Sequence, residues 1–176
     1  SLALGTSEIP LVELAEAYAA VAAGSYPVVA HGLPPENEGW FARLMQRQRR
    51  FSENHLTMIR DLLSSAANRG TGSAAALRTS TFGKTGTTQD SRDAIFVDYA
   101  GGLVTAVWIG NDDNSPLPGG AAGGGVPARI WRNFMSGAIN EPVEDAPEDT
   151  QDADLVNAIA NITVETGIGN LELGLD

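Results

Sequence analysis

The sequence has no cysteine, only one lysine and no long apolar run. Without cysteine it can form no disulfide, thiol nucleophile or cysteine-based metal site. A chain without cysteine is tolerated in both oxidising and reducing compartments, so this absence does not indicate which one the protein occupies. No apolar segment reaches the roughly 18 residues that cross a bilayer, and no signal peptide is evident. Because Lys84 stands alone beside ten arginines, any mechanism that needs two lysines is excluded within this chain.

The charge is unevenly distributed along the 176 residues. There are 22 acidic and 11 basic side chains, for a formal net charge of −11. Residues 141–176 hold ten of the acids and none of the bases, which leaves residues 1–140 close to neutral. A nucleic-acid binder of the usual basic kind is disfavoured, because affinity for phosphates depends on clustered Lys and Arg and no part of the chain is strongly basic overall. We therefore predict a folded body at 1–140 and an acidic linker and tail, rich in Pro, Asp and Glu, at 141–176.

Helical periodicity predicts two helices in the first half of the chain, at residues 10–23 and 52–68. Ser7 and Ser52 are the expected N-caps, because their hydroxyls can accept from free N–H groups at a helix start. Between the helices we expect a short strand at 28–31. The apolar stripe of the second helix is expected to comprise Leu56, Ile59, Leu62 and Leu63.

The period then changes from helical to extended. Two short turns, at 89–93 and 100–102, separate three expected strands, which predicts an antiparallel meander. A polar, glycine-rich loop and a third helix that opens at Pro127 follow. Helices before and after an antiparallel sheet indicate an α+β layer fold. The three strands are expected at 79–88, 94–99 and 103–110.

The strongest chemical signal is the segment Gly83-Lys84-Thr85-Gly86-Thr87-Thr88. A nucleotide phosphate loop is disfavoured, because it needs glycine where Arg78 stands and a turn from strand into helix. Lys-Thr-Gly on a strand that borders a cleft fits better. Lysine supplies a positive charge, threonine hydroxyls donate to a carboxylate, and glycine lets a substrate backbone approach. The alternative is a threonine-rich edge strand with an exposed lysine.

Several further motifs accompany this segment in a fixed order. They are Ser-Leu-Ala-Leu-Gly-Thr-Ser-Glu at 1–8, Arg-Gly-Thr-Gly at 69–72, Arg-Asp-Ala at 92–94, Val-Trp-Ile-Gly-Asn-Asp-Asp at 107–113 and Gly-Gly-Gly-Val-Pro-Ala at 123–128. Together they make the chain, from Ser1 to about Ile139, resemble the C-terminal half of the transpeptidase domain of bifunctional (class A) penicillin-binding proteins. The implied fold is part of a serine penicillin-binding and β-lactamase-like domain.

The resemblance implies a serine D,D-transpeptidase that cross-links peptidoglycan stem peptides and is acylated by β-lactams. By motif, Lys84 and Thr85 would hold the terminal carboxylate of the substrate. Thr87 would add a hydroxyl and a backbone N–H as half of the oxyanion hole, and Gly86 would keep the strand surface open. Lys84 and Thr87 are thus the expected catalytic residues. No metal and no cofactor are implied.

The chain also departs from the family pattern. It has no Ser-x-x-Lys nucleophile motif, and its one Ser-x-Asn match, Ser52-Glu-Asn54, lies at a predicted helix start where the family has none. We therefore expect a chain that is inactive alone and needs the N-terminal remainder of its domain: either it is a fragment, or the rest of the domain is in another chain or was lost. Asp98 stands where the family usually has glycine in a strand, and we expect this difference to affect only local packing.

The implied setting is the extracytoplasmic face of the bacterial inner membrane, in the periplasm, with an anchor in a missing N-terminal segment. The parent protein is expected to be a peptidoglycan glycosyltransferase as well. Expected partners are stem peptides, β-lactams and the rest of the domain, with no nucleic acid. A second hypothesis from another class is a non-catalytic scaffold or interaction domain derived from a transpeptidase.

Weaker candidates have ordinary structural interpretations. His31 and His55 lack spaced carboxylate partners and are expected to be surface residues. Asp112 and Asp113 are adjacent, which favours a solvated loop start over a cation site. The glycine run at 123–125 follows a polar loop, unlike a dinucleotide-binding motif. A small basic patch is expected to be a solvated face or a contact with anionic polymer or another part of the parent protein; it comprises Arg43, Arg47, Arg49 and Arg50.

Overall fold

A computed structural model describes residues 9–32 and 48–141 of the chain. The first predicted helix is confirmed as α1, Leu11–Ala23, which begins directly after Pro10. It ends at Gly24, whose φ of 69° places it in the left-handed conformation that favours glycine. The Gly24 N–H donates to the Ala20 carbonyl and so satisfies an acceptor at the helix end. The expected cap Ser7 lies outside the described residues.

A two-stranded antiparallel sheet follows α1. Strand β1, Ser25–Tyr26, pairs with β2, Arg49–Arg50. The strand predicted at 28–31 is therefore wrong. Pro27 follows directly after β1 and has no N–H to donate to a ladder, so the pairing stops at Tyr26.

The second predicted helix is confirmed as α2, Glu53–Arg69. Ser52 occupies the N-cap position, but its side chain makes no capping hydrogen bond. Leu56 is buried, whereas Leu62 is 66% exposed and does not belong to the apolar stripe. The helix buries the face that carries Leu56 and Ala67, and Leu62 lies one turn from Met58, which is also exposed, on the other face.

The predicted meander is confirmed as three antiparallel strands in the order β3-β4-β5. They are β3, Phe82–Thr87; β4, Asp93–Ala100; and β5, Leu103–Gly110. The register pairs Gly83 with Asp98 and Phe96 with Val107. Within the described part of the chain, β3 therefore forms one edge of the sheet.

Helices cover both faces of this sheet. On one face, Phe96 and Ala100 of β4 pack against Trp131 and Met135 of α3, Val126–Ala138. The Phe96 and Trp131 rings meet edge to face, with centroids 5.5 Å apart. On the other face lies α1, whose Ala15 and Ala19 line a pocket with Tyr99 and Val104.

Helix α2 contacts α1 and packs on β3. The Arg60 guanidinium donates to the carbonyls of Val21 and Ala22 at the end of α1, both at 2.8 Å. The arrangement is the expected α+β fold with a helix-flanked meander. In the described ranges, no helix combines the length and apolar character needed to cross a membrane.

The first residue of the acidic segment is attached to the folded body. The Glu141 carboxylate accepts hydrogen bonds from the Thr79 N–H at 3.0 Å, from the Thr79 hydroxyl at 2.5 Å and from the Arg78 N–H. These donors, the Thr79 hydroxyl first, hold the pKa of Glu141 below its ordinary value. Residues 142–176 lie outside the described residues, so the boundary at 141 stays a prediction.

A fully buried carboxyl lies at the centre of the sheet. Asp98 has no exposed surface, and its Oδ1 accepts from the Tyr99 N–H at 2.7 Å. Burial raises the pKa of Asp98 to about 7, and nearby donors, the Tyr99 and Phe82 N–H groups and the Thr81 hydroxyl, only moderate the shift. The expectation that Asp98 affects only local packing is therefore incomplete, because the free energy of unfolding depends on whether Asp98 is protonated.

The raised pKa of Asp98 makes stability fall as the pH rises. Between about pH 4 and 7 the folded chain keeps this proton and the unfolded chain loses it. We expect Asp98→Asn to match the parent near pH 4 and to exceed it by roughly 2–4 kcal/mol at pH 8. Urea unfolding at both pH values measures the difference. An equal effect of the substitution at both pH values would contradict a raised pKa.

Candidate active site

The segment that contains Lys84 forms the exposed edge strand β3. Just beyond it, the Thr88 N–H donates to the Asp93 carbonyl across the hairpin at 3.0 Å. In an antiparallel pair, residues that exchange such bonds alternate with residues whose N–H and C=O point outward. The backbone polar groups of Thr85 and Thr87 therefore point away from β4. In the described ranges no strand pairs with them on that side.

The Lys84 side chain extends along this open edge. Its ammonium donates to the Thr85 carbonyl at 2.9 Å and to the Thr85 hydroxyl at 3.3 Å. Both acceptors are neutral, and Lys84 has no carboxylate partner in the described part of the chain. Lys84 is exposed. The site therefore presents a positive charge that no neighbouring anion described here compensates.

Thr85 and Thr87 contact two segments that are distant in sequence. The Thr71 and Thr85 hydroxyl oxygens are 2.6 Å apart, and either hydroxyl can be the donor. The Thr87 hydroxyl accepts from the Gly123 N–H at 3.1 Å and keeps its own hydrogen available for donation. The structure thus brings together three of the predicted site residues and adds Thr71 and Gly123.

The glycine run before α3 packs directly on β3 and on the turn that holds Thr71. A Cβ at Gly123 would overlap the carbonyl oxygens of Ile95 and Gly86, and a Cβ at Gly124 would overlap the Thr71 carbonyl. Only glycine permits these approaches. From the sequence, this glycine run was considered only as a dinucleotide-binding motif, which was disfavoured, and its packing role was missed. The available signal was the run of three glycines immediately before a helix.

The two glycines of β3 meet different surroundings. A Cβ at Gly83 would overlap the Asp98 side chain and the Val97 carbonyl, so the fold itself requires glycine there. A Cβ at Gly86 would make an ordinary contact, 3.5 Å from the Ile95 Cβ. Nothing in the described packing explains why residue 86 is glycine. The absence of a side chain there leaves the surface beside Lys84 open.

The Ser-x-Asn match at residues 52–54 is far from β3. Ser52 precedes the first residue of α2, and Thr71 lies beyond its last residue. A helix of 17 residues is roughly 25 Å long. Because Thr71 contacts Thr85, Ser52 lies a similar distance from Thr85. The geometry separates this serine from the Lys-Thr-Gly strand.

The weaker candidates lie apart from this edge or form ordinary surface structure. His31 and His55 are exposed, as expected. The Asp113 carboxylate accepts from the Ser115 N–H at 3.0 Å, and Ser115 lowers the pKa of Asp113. Within residues 9–32 and 48–141, no three His, Asp or Glu side chains are grouped to hold a metal ion. Two members of the basic patch, Arg49 and Arg50, are exposed, and the other two lie outside the described residues.

Comparison with known proteins assigns the chain to a family. Residues 1–138 match the family model described as the penicillin binding protein transpeptidase domain. The chain belongs to the penicillin-binding protein transpeptidase family. This match includes all of β3 and ends with α3. It confirms the resemblance that the order of the sequence motifs indicated.

Individual relatives agree with this assignment. The chain is 32% identical over 150 residues to penicillin-binding protein 1A of Neisseria gonorrhoeae, across 79% of the chain and 19% of the relative. It is 38% identical over 86 residues to penicillin-binding protein 1A of Pseudomonas aeruginosa, across 48% of the chain and 10% of the relative. The chain therefore spans about a fifth of the length of the Neisseria relative.

The packing of the glycine run on β3 predicts a large effect of one added methyl group. We expect Gly123→Ala to lower the free energy of unfolding by about 1–3 kcal/mol, because the Cβ would push residue 123 away from Gly86 and Ile95. Thermal unfolding measures the loss. Gly32→Ala is the control, since a Cβ at Gly32 meets nothing within 4 Å. Equal stability of the two variants would contradict the close contact.

Proposed function

We propose that this chain forms the Lys-Thr-Gly side of the active site of a serine D,D-transpeptidase. The enzyme would cross-link peptidoglycan stem peptides and would be acylated by β-lactams. One observation carries the proposal: among the described residues, the exposed Lys84 ammonium has no anionic partner and lies on a strand edge that no other strand covers, with the Thr87 N–H pointing outward. Each part of that arrangement matches one chemical feature of a peptide with a free carboxylate.

The charge arrangement supports recognition of a carboxylate. Within residues 9–32 and 48–141, the Lys84 ammonium donates only to neutral oxygens of Thr85. A carboxylate would be a stronger acceptor, because charge-assisted hydrogen bonds are about twice as strong as neutral ones. The Thr85 and Thr87 hydroxyls can donate to the same anion. We propose that Lys84, Thr85 and Thr87 together bind the C-terminal carboxylate region of the donor stem peptide.

The free edge supports binding of an extended peptide. Outward N–H and C=O groups at Thr85 and Thr87 allow a substrate to add as a strand. Gly86 lies between them, on the same face as Lys84 by strand alternation. Without a side chain there, the substrate backbone can lie against β3. The Thr87 N–H would then donate to the oxyanion that develops at the attacked carbonyl.

The nucleophile would come from residues outside this sequence. Lys84 is the only lysine, and no serine stands three residues before it. In the proposed reaction, a serine Oγ attacks the penultimate D-Ala carbonyl, its C–N bond breaks and the terminal D-Ala leaves. An amine of a neighbouring stem then attacks the acyl-enzyme and restores the serine. In this chain, Lys84 and Thr87 would be the groups that take part, without a metal or cofactor.

The family also suggests a setting for this activity. We propose action on the outer side of the bacterial cytoplasmic membrane, in the periplasm, in a parent protein that is also a glycosyltransferase. The match covers 19% of the Neisseria gonorrhoeae relative, so a parent protein of that length would have room for a second domain and an anchor. The partners would be stem peptides, β-lactams and the N-terminal remainder of the transpeptidase domain.

A fluorescent penicillin tests the enzyme proposal against the scaffold alternative. We expect the 176-residue chain alone to take no covalent label, and the protein that joins it to a Ser-x-x-Lys segment to take one label per molecule. In-gel fluorescence and intact mass measure the adduct. No label on the joined protein would favour a non-catalytic scaffold. Label on the isolated chain would show that a nucleophile lies within it.

Removal of the Lys84 charge is expected to slow acylation. Lys84→Ala in the joined protein should lower the second-order rate constant for penicillin by about a hundredfold, because a preorganised charged donor is lost. Stopped-flow fluorescence measures the rate. The matched control Arg50→Ala removes an exposed positive charge on the separate β1–β2 sheet. If Lys84→Ala behaves like this control, Lys84 is only a surface residue.

The two glycines of β3 are expected to respond differently to alanine. Gly86→Ala should leave the unfolding temperature close to that of the parent, because its Cβ fits, but should slow acylation by about tenfold or more through a clash with the substrate. Gly83→Ala should lower the unfolding temperature, since its Cβ would overlap Asp98. Unchanged acylation in Gly86→Ala would contradict binding of substrate along this strand.

A further inference from the structure

Thr71 lies beside the Lys-Thr-Gly strand and has no role in the function proposed above. It occupies the turn that follows α2, 14 residues before Thr85 in sequence. Its hydroxyl oxygen is 2.6 Å from the Thr85 hydroxyl oxygen, which is 3.3 Å from the Lys84 ammonium. Three polar groups thus form a continuous line in which Thr85 is the middle member.

The number of hydrogens available to each group restricts how this line can be arranged. The Lys84 ammonium can only donate, so it uses one acceptor site of the Thr85 hydroxyl. That hydroxyl has one hydrogen and room for a second donor. If Thr71 donates, the Thr85 hydrogen is free for a third partner. If Thr85 donates to Thr71 instead, no Thr85 hydrogen remains for a substrate.

A bound carboxylate selects the first of these arrangements. A carboxylate only accepts, so contact with Thr85 requires the Thr85 hydroxyl to donate to it. Thr71 then donates to Thr85. Donation by Thr71 and by Lys84 polarises the Thr85 hydroxyl and strengthens the bond that it makes to the anion. Thr71 would therefore affect carboxylate binding without contact with the carboxylate.

The position of Thr71 is fixed by close packing on both sides. A Cβ at Gly124 would overlap the Thr71 carbonyl, so the run before α3 lies directly against this residue. The next residue, Gly72, is buried, and a Cβ there would approach the Phe96 ring at 3.2 Å. Such an anchored turn holds a hydroxyl in one place relative to β3.

We propose that Thr71 is a positioning residue that turns the Thr85 hydroxyl into a donor toward the substrate carboxylate. It thereby sets the preference of the site for substrates that carry this carboxylate. The assignment rests on the proposed transpeptidase function. Its distinguishing consequence is selectivity: loss of the Thr71 hydroxyl should weaken reaction with a carboxylate-bearing acyl donor more than reaction with an esterified one.

The test uses the protein that joins this chain to a Ser-x-x-Lys segment. Benzylpenicillin and its methyl ester each compete with a fluorescent penicillin, which gives an acylation rate constant for each compound. We expect Thr71→Val to lower the rate for the free acid about tenfold and to change the ester rate less than twofold. The acid-to-ester selectivity then falls about tenfold. Thr71→Ser, which keeps the hydroxyl, should restore it.

Controls separate this role from a purely structural one. Thr105 lies on β5, and its hydroxyl donates to the Met135 sulfur at 3.1 Å. Thr105→Val removes this hydroxyl and should leave the selectivity unchanged. An equal loss of both rates in Thr71→Val, or no loss, would overturn the Thr71 assignment while the wild-type protein still reacts. A wild-type protein that benzylpenicillin does not acylate would instead overturn the proposed function and this assignment with it.

Discussion

The arrangement of the candidate site depends on one close contact, where the backbone at Gly123 and Gly124 crosses β3 and the turn at Thr71. No Cβ fits at either glycine. The contact lets the Gly123 N–H reach the Thr87 hydroxyl and fixes the start of α3, whose Trp131 then covers the Phe96 ring. A side chain at either glycine would separate the strand from both the turn and the helix. The candidate site and the hydrophobic core therefore both depend on the absence of side chains at Gly123 and Gly124.

The two sides of β3 have separate tasks. Toward β4, the missing side chain of Gly83 leaves room for the buried Asp98 side chain. The raised pKa of Asp98, about 7, makes the stability of the fold depend on pH. Toward the open edge, Lys84 and the outward groups of Thr87 have no protein anion or strand beside them in the described ranges. Glycine is required at residue 83 by the fold, whereas at residue 86 the described packing would admit alanine. This contrast is the physical basis of the proposal that glycine at residue 86 serves substrate binding rather than folding.

Much of the fold could be predicted because its signals are local. Period-two apolar segments and short turns gave β3, β4 and β5 in their order, and helical spacing gave α1 and α2. The strand predicted at 28–31 is absent because Pro27 removes a donor from the ladder. Leu62 is exposed because helical periodicity does not tell which of two apolar stripes faces the sheet. The roles of Thr71 and Gly123 could not be predicted, since both depend on contacts between segments far apart in sequence.

By itself, the sequence determined the element order, the lone lysine, the absence of a nucleophile motif and, through its ordered motifs, the family. These properties are local or countable, so they need no coordinates. Only the tertiary structure decided that Ser52 lies far from β3, that Gly83 is required by packing and Gly86 is not, and that the Thr71 hydroxyl reaches Thr85. Those facts are distances between segments that fold together. A change of a few tenths of an ångström in such a distance decides whether two atoms form a hydrogen bond or overlap.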